Sequence, residues 1–348
     1  MTSLAPYTTL RLGGPAGRLV EAASEEKLVA RVREADARGD ALLVLAGGSN
    51  VVIADAGWPG TVVRVVTQGI ERDGTALTAA AGEPWDPLVA ASVAGGLAGM
   101  ECLSGIPGSV GATPIQNVGA YGQEVGDTIE WVRVLDRQTG EVTALAARDC
   151  GFTYRSSIFK RTPGRWLVLA VRFRLADEDG LSEPVRYAEL ARALAVSIGA
   201  RAPLDDVREA VLALRRGKGM VIDADDLDSV SAGSFFTNPI LSPEAYEALA
   251  ARVRRRLGPD VSPPAFPEPD GRIKTSAAWL VERAGFSRGH GLPGPAALSS
   301  KHTLALTNRG GATTAQLVAL AREVAGGVQD AFGVALVPEP VFVGHEWD

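Results

Sequence analysis

Two glycine-rich stretches contain the residue types best suited to binding a phosphate or a flat ligand against the main chain. The longer one, residues 105–122, has almost no charge and includes Pro107 and Pro114. Glycine permits positive φ and a close approach to the backbone, and proline stiffens the chain between glycines. The second stretch, residues 47–50, follows an apolar run and presents several backbone N–H groups together, which suits a phosphate or pyrophosphate.

Each stretch also has a structural interpretation, because a tight crossover between strands favours the same residue types. Neither stretch contains the G-x-G-x-x-G or G-x-x-x-x-G-K-[ST] spacing, which removes the main support for a Rossmann or P-loop site. A dinucleotide bound by these loops therefore requires another scaffold.

The composition is that of an ordinary globular protein, with 348 residues, 46% hydrophobic and 22% charged. This length predicts two or three domains. The net charge of −6 argues against a general nucleic-acid or anionic-membrane surface. No run approaches the roughly 18 apolar residues of a membrane span, and residues 1–6 lack the basic segment followed by an apolar one that is typical of a signal peptide. We therefore expect a cytoplasmic protein.

The cysteines and histidines do not form a metal-binding pattern. Cys102 and Cys150 are distant in sequence and are interpreted as small buried hydrophobic residues rather than as a disulfide or a metal site. The three scattered histidines, at positions 290, 302 and 345, predict no zinc centre.

Hydrophobic periodicity predicts a mixture of helices and strands throughout the chain. Strands are expected over residues 8–14, 18–22, 41–46, 61–66, 76–80, 129–135, 141–145, 166–174, 303–307 and 334–337. Helices are expected after a Ser24 cap and over residues 84–95, 188–198, 205–216, 243–256, 277–284 and 313–332. Gly217 and Gly219 mark a natural domain boundary. We therefore expect a multi-domain α+β chain.

Seven segments, in order along the chain, resemble UDP-N-acetylenolpyruvoylglucosamine reductases, also called UDP-N-acetylmuramate dehydrogenases. They are residues 45–55 (LAGGSNVVIAD), 104–112 (SGIPGSVGA), 116–122 (QNVGAYG), 154–160 (YRSSIFK), 232–239 (AGSFFTNP), 276–280 (SAAWL) and 336–339 (LVPE). One glycine loop is common, whereas this many patterned segments in the same order are specific.

The resemblance implies a flavoenzyme of peptidoglycan precursor synthesis. Such an enzyme uses NADPH to reduce FAD, and then reduces the enolpyruvyl ether of UDP-N-acetylglucosamine to UDP-N-acetylmuramate. The implied fold is α+β, with a two-subdomain FAD-binding fold of the vanillyl-alcohol-oxidase (PCMH) type and a C-terminal α+β substrate-binding domain. We place the subdomains at residues 1–67 and 68–219, with an insertion near 180–200, and the C-terminal domain at 220–348.

The partners implied are small molecules, the substrate UDP-N-acetylenolpyruvoylglucosamine and NADPH, with no nucleic acid or membrane, and we expect a monomer. Two other classes stay open at this point. One is a related FAD-dependent oxidase or dehydrogenase acting on an alcohol or a lactone, and the other is a flavin-binding carrier or regulator without turnover.

Three residues match the catalytic positions of the family. Arg155 would stabilise the enolate, because a guanidinium stays charged and grips a carboxylate with two donors. Glu339 would hold the same carboxylate, and Ser234 would donate the proton to carbon. Each has a structural alternative, namely a surface ion pair for Arg155, a local turn for Ser234 and an exposed side chain for Glu339.

The resemblance also assigns binding residues. The FAD contacts are expected at Gly47, Gly48, Ser49, Asn50, Ser104, Gly105, Pro107, Gly108, Gly111, Ala112, Gln116, Asn117, Gly119, Ala120 and Tyr121, with the pyrophosphate against residues 47–50 and 105–111 and the ring near 116–121. The substrate contacts are expected at Tyr187, Lys218 and Asn238, with Lys274, Arg283 and Arg288 added from local charge alone.

The tyrosine Tyr187 resembles one carried by an insertion in the longer form of the family, where it closes over the substrate. The chain departs from the family pattern after Glu339, where Pro340 and Val341 replace the usual Val-Arg. This change predicts the loss of an auxiliary contact.

Overall fold

The computed structural model describes residues 1–347 and contains both sheet and helix. The strands of three or more residues are β1 Pro15–Ala22, β2 Leu42–Leu45, β3 Val51–Ile53, β4 Trp58–Val65, β5 Ile70–Asp73, β6 Ala76–Ala80, β7 Ile129–Asp136, β8 Val142–Ala146, β9 Trp166–Arg174, β10 Ser231–Ser234, β11 Ala296–Leu298, β12 Ala305–Asn308 and β13 Val341–Val343. The α-helices are α1 Glu25–Arg38, α2 Trp85–Ala94, α3 Ala147–Cys150, α4 Ile158–Arg161, α5 Ala188–Ala193, α6 Leu204–Gly217, α7 Pro243–Leu257, α8 Ala277–Ala284 and α9 Thr314–Phe332.

The chain divides into two compact units. The first unit contains residues 1–2, 15–48 and 58–221, and the second contains residues 3–14, 49–57 and 222–348. Two short pieces from the N-terminal part of the sequence therefore belong to the second unit, and the division near position 50 falls inside the Gly-Gly-Ser-Asn loop.

A small parallel sheet and α1 begin the first unit. Strands β1, β4 and β2 lie side by side in that order and run parallel. Helix α1 begins where the Ser24 side chain accepts a hydrogen bond from the Lys27 N–H, as predicted, and ends at Gly39, whose φ is +65°. The buried face of α1 consists of Leu28, Val29, Val32 and Ala35.

A five-stranded antiparallel sheet forms the larger part of the first unit, in the order β8-β7-β9-β6-β5. Strands β6 and β9 have the predicted bounds, and β7 and β8 form the predicted hairpin. Helix α2 places Trp85 in the core, where its ring meets the Phe173 ring edge-on at 5.8 Å. This sheet supports the long glycine stretch, because the Gly111 N–H donates to the Ala81 carbonyl just after β6.

A smaller cluster lies between α5 and α6 in the same unit. It is built from buried apolar residues that include Val185, Leu190, Val207 and Val211, with Tyr121 packed against it. Helix α5 is shorter than predicted, because Leu194 ends it and Ala195 adopts a left-handed φ of +53°.

The second unit has a three-stranded antiparallel sheet in the order β10-β12-β11, and its core is covered by α7, α8 and α9. A separate parallel pair joins β13 to β3, which are almost 300 positions apart in sequence. The core contains the adjacent Phe235 and Phe236, both fully buried, in agreement with their interpretation as core residues.

Two predicted strands are wrong. Residues 8–14 form a turn at residues 9–10 followed by irregular chain, because the Thr8 hydroxyl bonds both the carbonyl and the N–H of Leu12 and Arg11 has a φ of +51°. Local side-chain bonding of this kind competes with strand pairing. Residues 334–337 are not in a strand, and the nearest pairing is a single bridge between Phe236 and Pro338.

Within residues 1–347, none of the helices is long and apolar enough to cross a membrane. The same residues contain no group of three or more His, Cys, Asp or Glu that could hold a metal ion. Both cysteines are buried and free, which confirms their interpretation as small core residues. Burial raises the pKa of Cys150 to about 12, with the nearby Asp149 charge acting in the same direction, and burial also raises the pKa of Cys102.

These thiols should resist alkylation in the native protein. Because the thiolate is the reactive form and both groups are buried, iodoacetamide at pH 8 should leave both cysteines unmodified. The measurement is the intact mass before and after unfolding in guanidinium chloride, where two adducts should appear. An adduct formed at either cysteine by the folded protein would contradict this expectation.

Candidate cofactor and active site

The two glycine stretches approach each other at backbone distance in the first unit. A Cβ placed on Gly47 would lie 2.7 Å from the Cα of Gly108, closer than real side-chain atoms come. Gly48, Gly105 and Gly108 have φ values of +58°, +71° and +118°, which L side chains rarely adopt. Glycine is therefore required for both the conformation and the contact.

The remaining residues of the short loop, Ser49 and Asn50, belong to the second unit. The Asn50 carbonyl accepts a hydrogen bond from the Val341 N–H at 2.9 Å, and its side-chain amide donates to the Glu339 carbonyl at 3.3 Å. The loop that is predicted to bind the pyrophosphate thus also fixes the chain around Glu339.

The long stretch is held by its own side chains as well as by the sheet. Asn117 is buried with a left-handed φ of +46°, and its side chain bonds Glu124, the Thr153 carbonyl and the Gly126 N–H. Ser104, also buried, donates to the Glu101 carbonyl at 2.6 Å. These two predicted cofactor residues therefore shape the loop with their side chains.

The predicted ring-binding part of this stretch is next to Arg155 in the first unit. The Arg155 guanidinium donates to the carbonyl of Gly119 at 2.7 Å and to that of Asn117 at 3.4 Å, and it lies 5.3 Å from the centre of the Tyr154 ring. Arg155 also has a left-handed φ of +51°. Strained backbone of this kind is concentrated at functional sites. The arginine is thus fixed against residues 117–119.

Ser234 and Glu339 come together on neighbouring segments of the second unit. Ser234 ends strand β10, and the N–H of Glu339 donates to the carbonyl of the next residue, Phe235, at 2.8 Å. Asn238, four positions further on, uses its side-chain oxygen to accept the Ala277 N–H at the start of α8. Val341, which departs from the family pattern, begins β13.

Tyr187, Lys218 and Tyr121 form a third group, in the first unit. The Tyr121 and Tyr187 rings meet edge-on at 5.5 Å, and the Lys218 ammonium lies 5.6 Å from the centre of the Tyr121 ring. Lys218 also donates to Glu189 at 2.6 Å. Burial raises the pKa of Tyr121 to about 12, so this phenol stays protonated at neutral pH.

The three residues chosen from local charge alone lie in the second unit. Lys274 pairs with Glu268 at 2.7 Å, and Arg283 lies 5.9 Å from the centre of the Trp279 ring. Arg283 and Arg288 are exposed. The unit also contains a G-x-G-x-x-G spacing at residues 289–294, but it follows α8 and leads into β11, whereas a dinucleotide site needs it between a strand and a helix.

A buried arginine that the sequence analysis missed lies beside the long glycine stretch. Arg215 is only 9% exposed, and its Nε has no hydrogen-bond partner within residues 1–347. A Cβ on Gly105 would lie 3.5 Å from that nitrogen. Burial lowers the pKa of Arg215 to about 10, which still leaves it charged at pH 7.

The nearest acid, Asp86, is already committed to other donors. It accepts two hydrogen bonds from Arg208, at 2.7 and 2.9 Å, and one from the Gly105 N–H at 2.6 Å. Burial alone would raise the pKa of Asp86, but these bonds outweigh it and hold the pKa below its usual value. Arg215 itself donates from Nη2 to the Met220 carbonyl at 2.7 Å, which leaves its Nε to meet an anion. Its position was readable from the sequence, since it follows the buried Val211 and Leu212 by four and three residues on α6.

Comparisons with known proteins assign the two parts of the chain separately. The FAD binding domain family matches residues 16–146, and the family of the UDP-N-acetylenolpyruvoylglucosamine reductase C-terminal domain matches residues 225–343. These matches define the class of protein as an FAD-dependent oxidoreductase.

Whole-chain relatives give the particular family. A UDP-N-acetylenolpyruvoylglucosamine reductase of Streptomyces coelicolor is 60% identical, over 98% of this chain and 89% of its own length. One from Thermobifida fusca is 57% identical, over 98% of this chain and 96% of its own. The chain belongs to the UDP-N-acetylenolpyruvoylglucosamine reductase family, as the seven segments predicted.

A solved structure supports the same assignment. The crystal structure of UDP-N-acetylenolpyruvylglucosamine reductase from Thermus caldophilus is 25% identical and matches with a TM-score of 0.67, covering 98% of this chain and 97% of that one. The predicted fold class, an α+β two-subdomain FAD-binding fold with a C-terminal α+β domain, is confirmed.

The geometry of the first unit fits FAD. Glycine lets the main chain of the two stretches meet at Gly47 and Gly108, and two buried polar atoms at the long stretch, Arg215 Nε and Ser109 Oγ, have no hydrogen-bond partner within residues 1–347. A diphosphate is an acceptor that can satisfy such donors. The residues present thus offer what an FAD pyrophosphate requires.

Replacing Gly47 with alanine should weaken FAD binding without unfolding the protein. The added methyl group would have to push the Gly108 backbone away, which disturbs both loops. Loss of one charge-assisted hydrogen bond corresponds to about 1.5–3 kcal/mol, or roughly ten- to a hundredfold in affinity. The measurement is the FAD dissociation constant by flavin fluorescence.

The matched control is Gly326→Ala, because a Cβ on Gly326 within α9 would meet no atom within 4 Å. That variant should keep its FAD and gain about 0.5–1 kcal/mol of stability. Equal FAD affinity in both variants would contradict the backbone contact as the basis of cofactor binding.

Proposed function

We propose that this chain reduces the enolpyruvyl ether of UDP-N-acetylglucosamine to UDP-N-acetylmuramate, with Arg155, Ser234 and Glu339 acting on the reacting group. The observation that carries the proposal is the 60% identity to a named reductase over 98% of the chain. FAD, reduced by NADPH, supplies the hydride when it is bound. The chain's own residues have to stabilise the charge that results and to deliver one proton.

The charge develops on the substrate carboxylate. When a hydride adds to one carbon of the double bond, the π electrons move through the other carbon onto the attached carboxylate and form an enolate. A fixed cation at that carboxylate stabilises the transition state more than the ground state, and one such preorganised donor typically contributes about 3 kcal/mol. Arg155 is suited to this role because Gly119, Asn117 and Tyr154 fix its guanidinium.

The proton returns to the carbon next to the carboxylate. Ser234 is the proposed donor, and it ends a paired strand, so its backbone is well fixed. Serine is a weak acid, and for this reason an assisting group, Lys218 or an ordered water, belongs to the proposal. Glu339 is proposed to hold the carboxylate. Its backbone bond to Phe235 supports this, since it keeps Glu339 next to the segment that carries Ser234.

The cofactor is proposed to contact the residues assigned from the family pattern, with its pyrophosphate against residues 47–50 and 105–111 and its ring near residues 116–121. Arg215 is added to that set because it is buried beside Gly105 with an unsatisfied Nε. The substrate is proposed to contact Tyr187, Lys218 and Asn238, and its diphosphate is proposed to meet basic side chains, Lys218 among them. The expected domain bounds, the cytoplasmic location and the monomeric state stay predictions.

Ser234→Ala should separate the two halves of the reaction. Reduction of FAD by NADPH needs no proton on carbon and should be nearly unchanged. Reoxidation by the enolpyruvyl nucleotide should slow by about 10²–10⁴-fold, the usual contribution of a general acid. Stopped-flow absorbance of the flavin measures each half separately, and Ser234→Cys should recover part of the rate because a thiol can also donate.

The control is Ser287→Ala, at an exposed serine of the same unit, which should leave both halves unchanged. Equal slowing of both halves in Ser234→Ala would show that the serine supports the fold or the flavin position instead. Rapid oxygen consumption by the reduced wild-type enzyme, with no response to the enolpyruvyl nucleotide, would favour an oxidase and reject the proposed function.

A further inference from the structure

The proposed diphosphate-binding lysine already has an anionic partner in the protein. Lys218 Nζ lies 2.6 Å from Glu189 Oε2, and the two side chains are 30% and 32% exposed. A ligand can therefore reach the pair from solvent. An ion pair at this degree of exposure contributes little to stability, so its partners can exchange.

The pair joins two parts of the chain that both belong to the proposed nucleotide site. Glu189 is in the first turn of α5, two residues after Tyr187, and Lys218 directly follows α6. The Tyr121 ring contacts both the Tyr187 ring and the Lys218 ammonium. Burial raises the pKa of both tyrosines, and the Glu189 charge acts in the same direction, so both stay neutral at pH 7.

Lysine behaves as a compact point charge that forms short-range bonds to whichever anion is nearest. In the structure, the Glu189 carboxylate occupies that place, 2.6 Å from the ammonium. A diphosphate that binds Lys218 has to displace it or share the ammonium with it.

We propose that Glu189 is an internal competitor of the substrate diphosphate for Lys218, and that it sets the affinity of the enzyme for its nucleotide. The proposal rests on the proposed function, since that assigns the diphosphate to Lys218. Glu189 is not a catalytic residue in this scheme, because it acts through the availability of Lys218. Its role is to keep the nucleotide site from holding substrate and product too tightly.

The size of the effect follows from the exposure of the pair. Ion pairs that solvent can reach hold their partners by a factor of roughly two to five. Glu189→Gln keeps the shape of the side chain and removes its charge. The KM for the enolpyruvyl nucleotide should therefore fall roughly two- to fivefold, and the dissociation constant of UDP should fall by the same factor.

The binding test uses purified FAD-loaded protein with UDP and uridine as probes in isothermal titration calorimetry. UDP should bind more tightly to Glu189→Gln than to the wild type, whereas uridine, which has no diphosphate, should bind both equally. The gain should shrink in 0.5 M NaCl, where the Debye length is only about 4–5 Å. A matched control, Glu209→Gln, removes an exposed acid from the same unit and should change nothing.

A double-mutant cycle identifies the partner. In the Lys218→Gln background, Glu189→Gln should no longer improve UDP binding, because the competition has been removed. Glu189→Ala provides a second neutral variant with the same expectation. The proposal is overturned if Glu189→Gln leaves UDP affinity unchanged, weakens it, or improves it equally without Lys218.

Failure of this inference is distinguishable from failure of the proposed function. If wild-type protein reduced by NADPH is reoxidised by the enolpyruvyl nucleotide but Glu189→Gln shows no tighter UDP binding, only the role of Glu189 is rejected. If the wild type is not reoxidised by that nucleotide and does not bind UDP, both are rejected.

Discussion

The contact between the Gly47 and Gly108 backbones is the constraint on which the cofactor part of the first unit depends. A Cβ on Gly47 would lie 2.7 Å from the Cα of Gly108, so this space has room only for main-chain atoms. Strand β2 therefore has to end where it does, and the long stretch has to be anchored by its bond from Gly111 to Ala81 after β6. Both sheets of the unit contribute one loop each, so the parallel and antiparallel parts of the fold are both needed to form one glycine surface.

The charged residues around this glycine surface are of two kinds. Some are buried groups with fixed partners, and others form ion pairs that solvent can reach. Asp86 is fixed by Arg208 and by the Gly105 N–H, whereas the buried Arg215 donates to the Met220 carbonyl and its Nε has no hydrogen-bond partner within residues 1–347. A buried cation is costly unless an anion meets it. Lys218 is different, because its partner Glu189 is 32% exposed and solvent reaches the pair. The first arrangement suits a cofactor that stays bound, and the second suits a substrate that must leave after each turnover.

The sequence predicted the elements whose patterns are long and regular. Strand β9 and helix α8 have the expected bounds because their buried residues repeat with the period of a strand or a helix. Strands β10 and β13 were missed, since each is short and pairs with a segment far away in sequence. The strand propensity of a few neighbouring residues does not indicate which distant segment they pair with.

The candidate site was predictable where single residue types carry the chemistry. Glycines that need positive φ and an arginine in a patterned segment can be read directly from the sequence. Arg215 was missed because a charged residue is normally assigned to the surface, although its spacing from Val211 places it on the buried face of α6. The pairing of Glu189 with Lys218 joins residues 29 positions apart and depends on how α5 lies against α6, which no local pattern specifies.

The bonds around Glu339 explain how the departure from the family pattern is tolerated by the backbone. The Glu339 N–H donates to the Phe235 carbonyl, whereas the Val341 N–H donates to the Asn50 carbonyl. The segment therefore pairs with one part of the chain at Glu339 and with another at Val341. Pro340, which has no N–H, stands at the one position between them, where no backbone donor is used. Because Asn50 also holds the Glu339 carbonyl, the predicted pyrophosphate loop and the proposed catalytic glutamate share one set of hydrogen bonds within the second unit. Ser49 and Asn50 therefore belong with Glu339 to one hydrogen-bonded part of the second unit, and a change in Asn50 would be expected to disturb the backbone at Glu339.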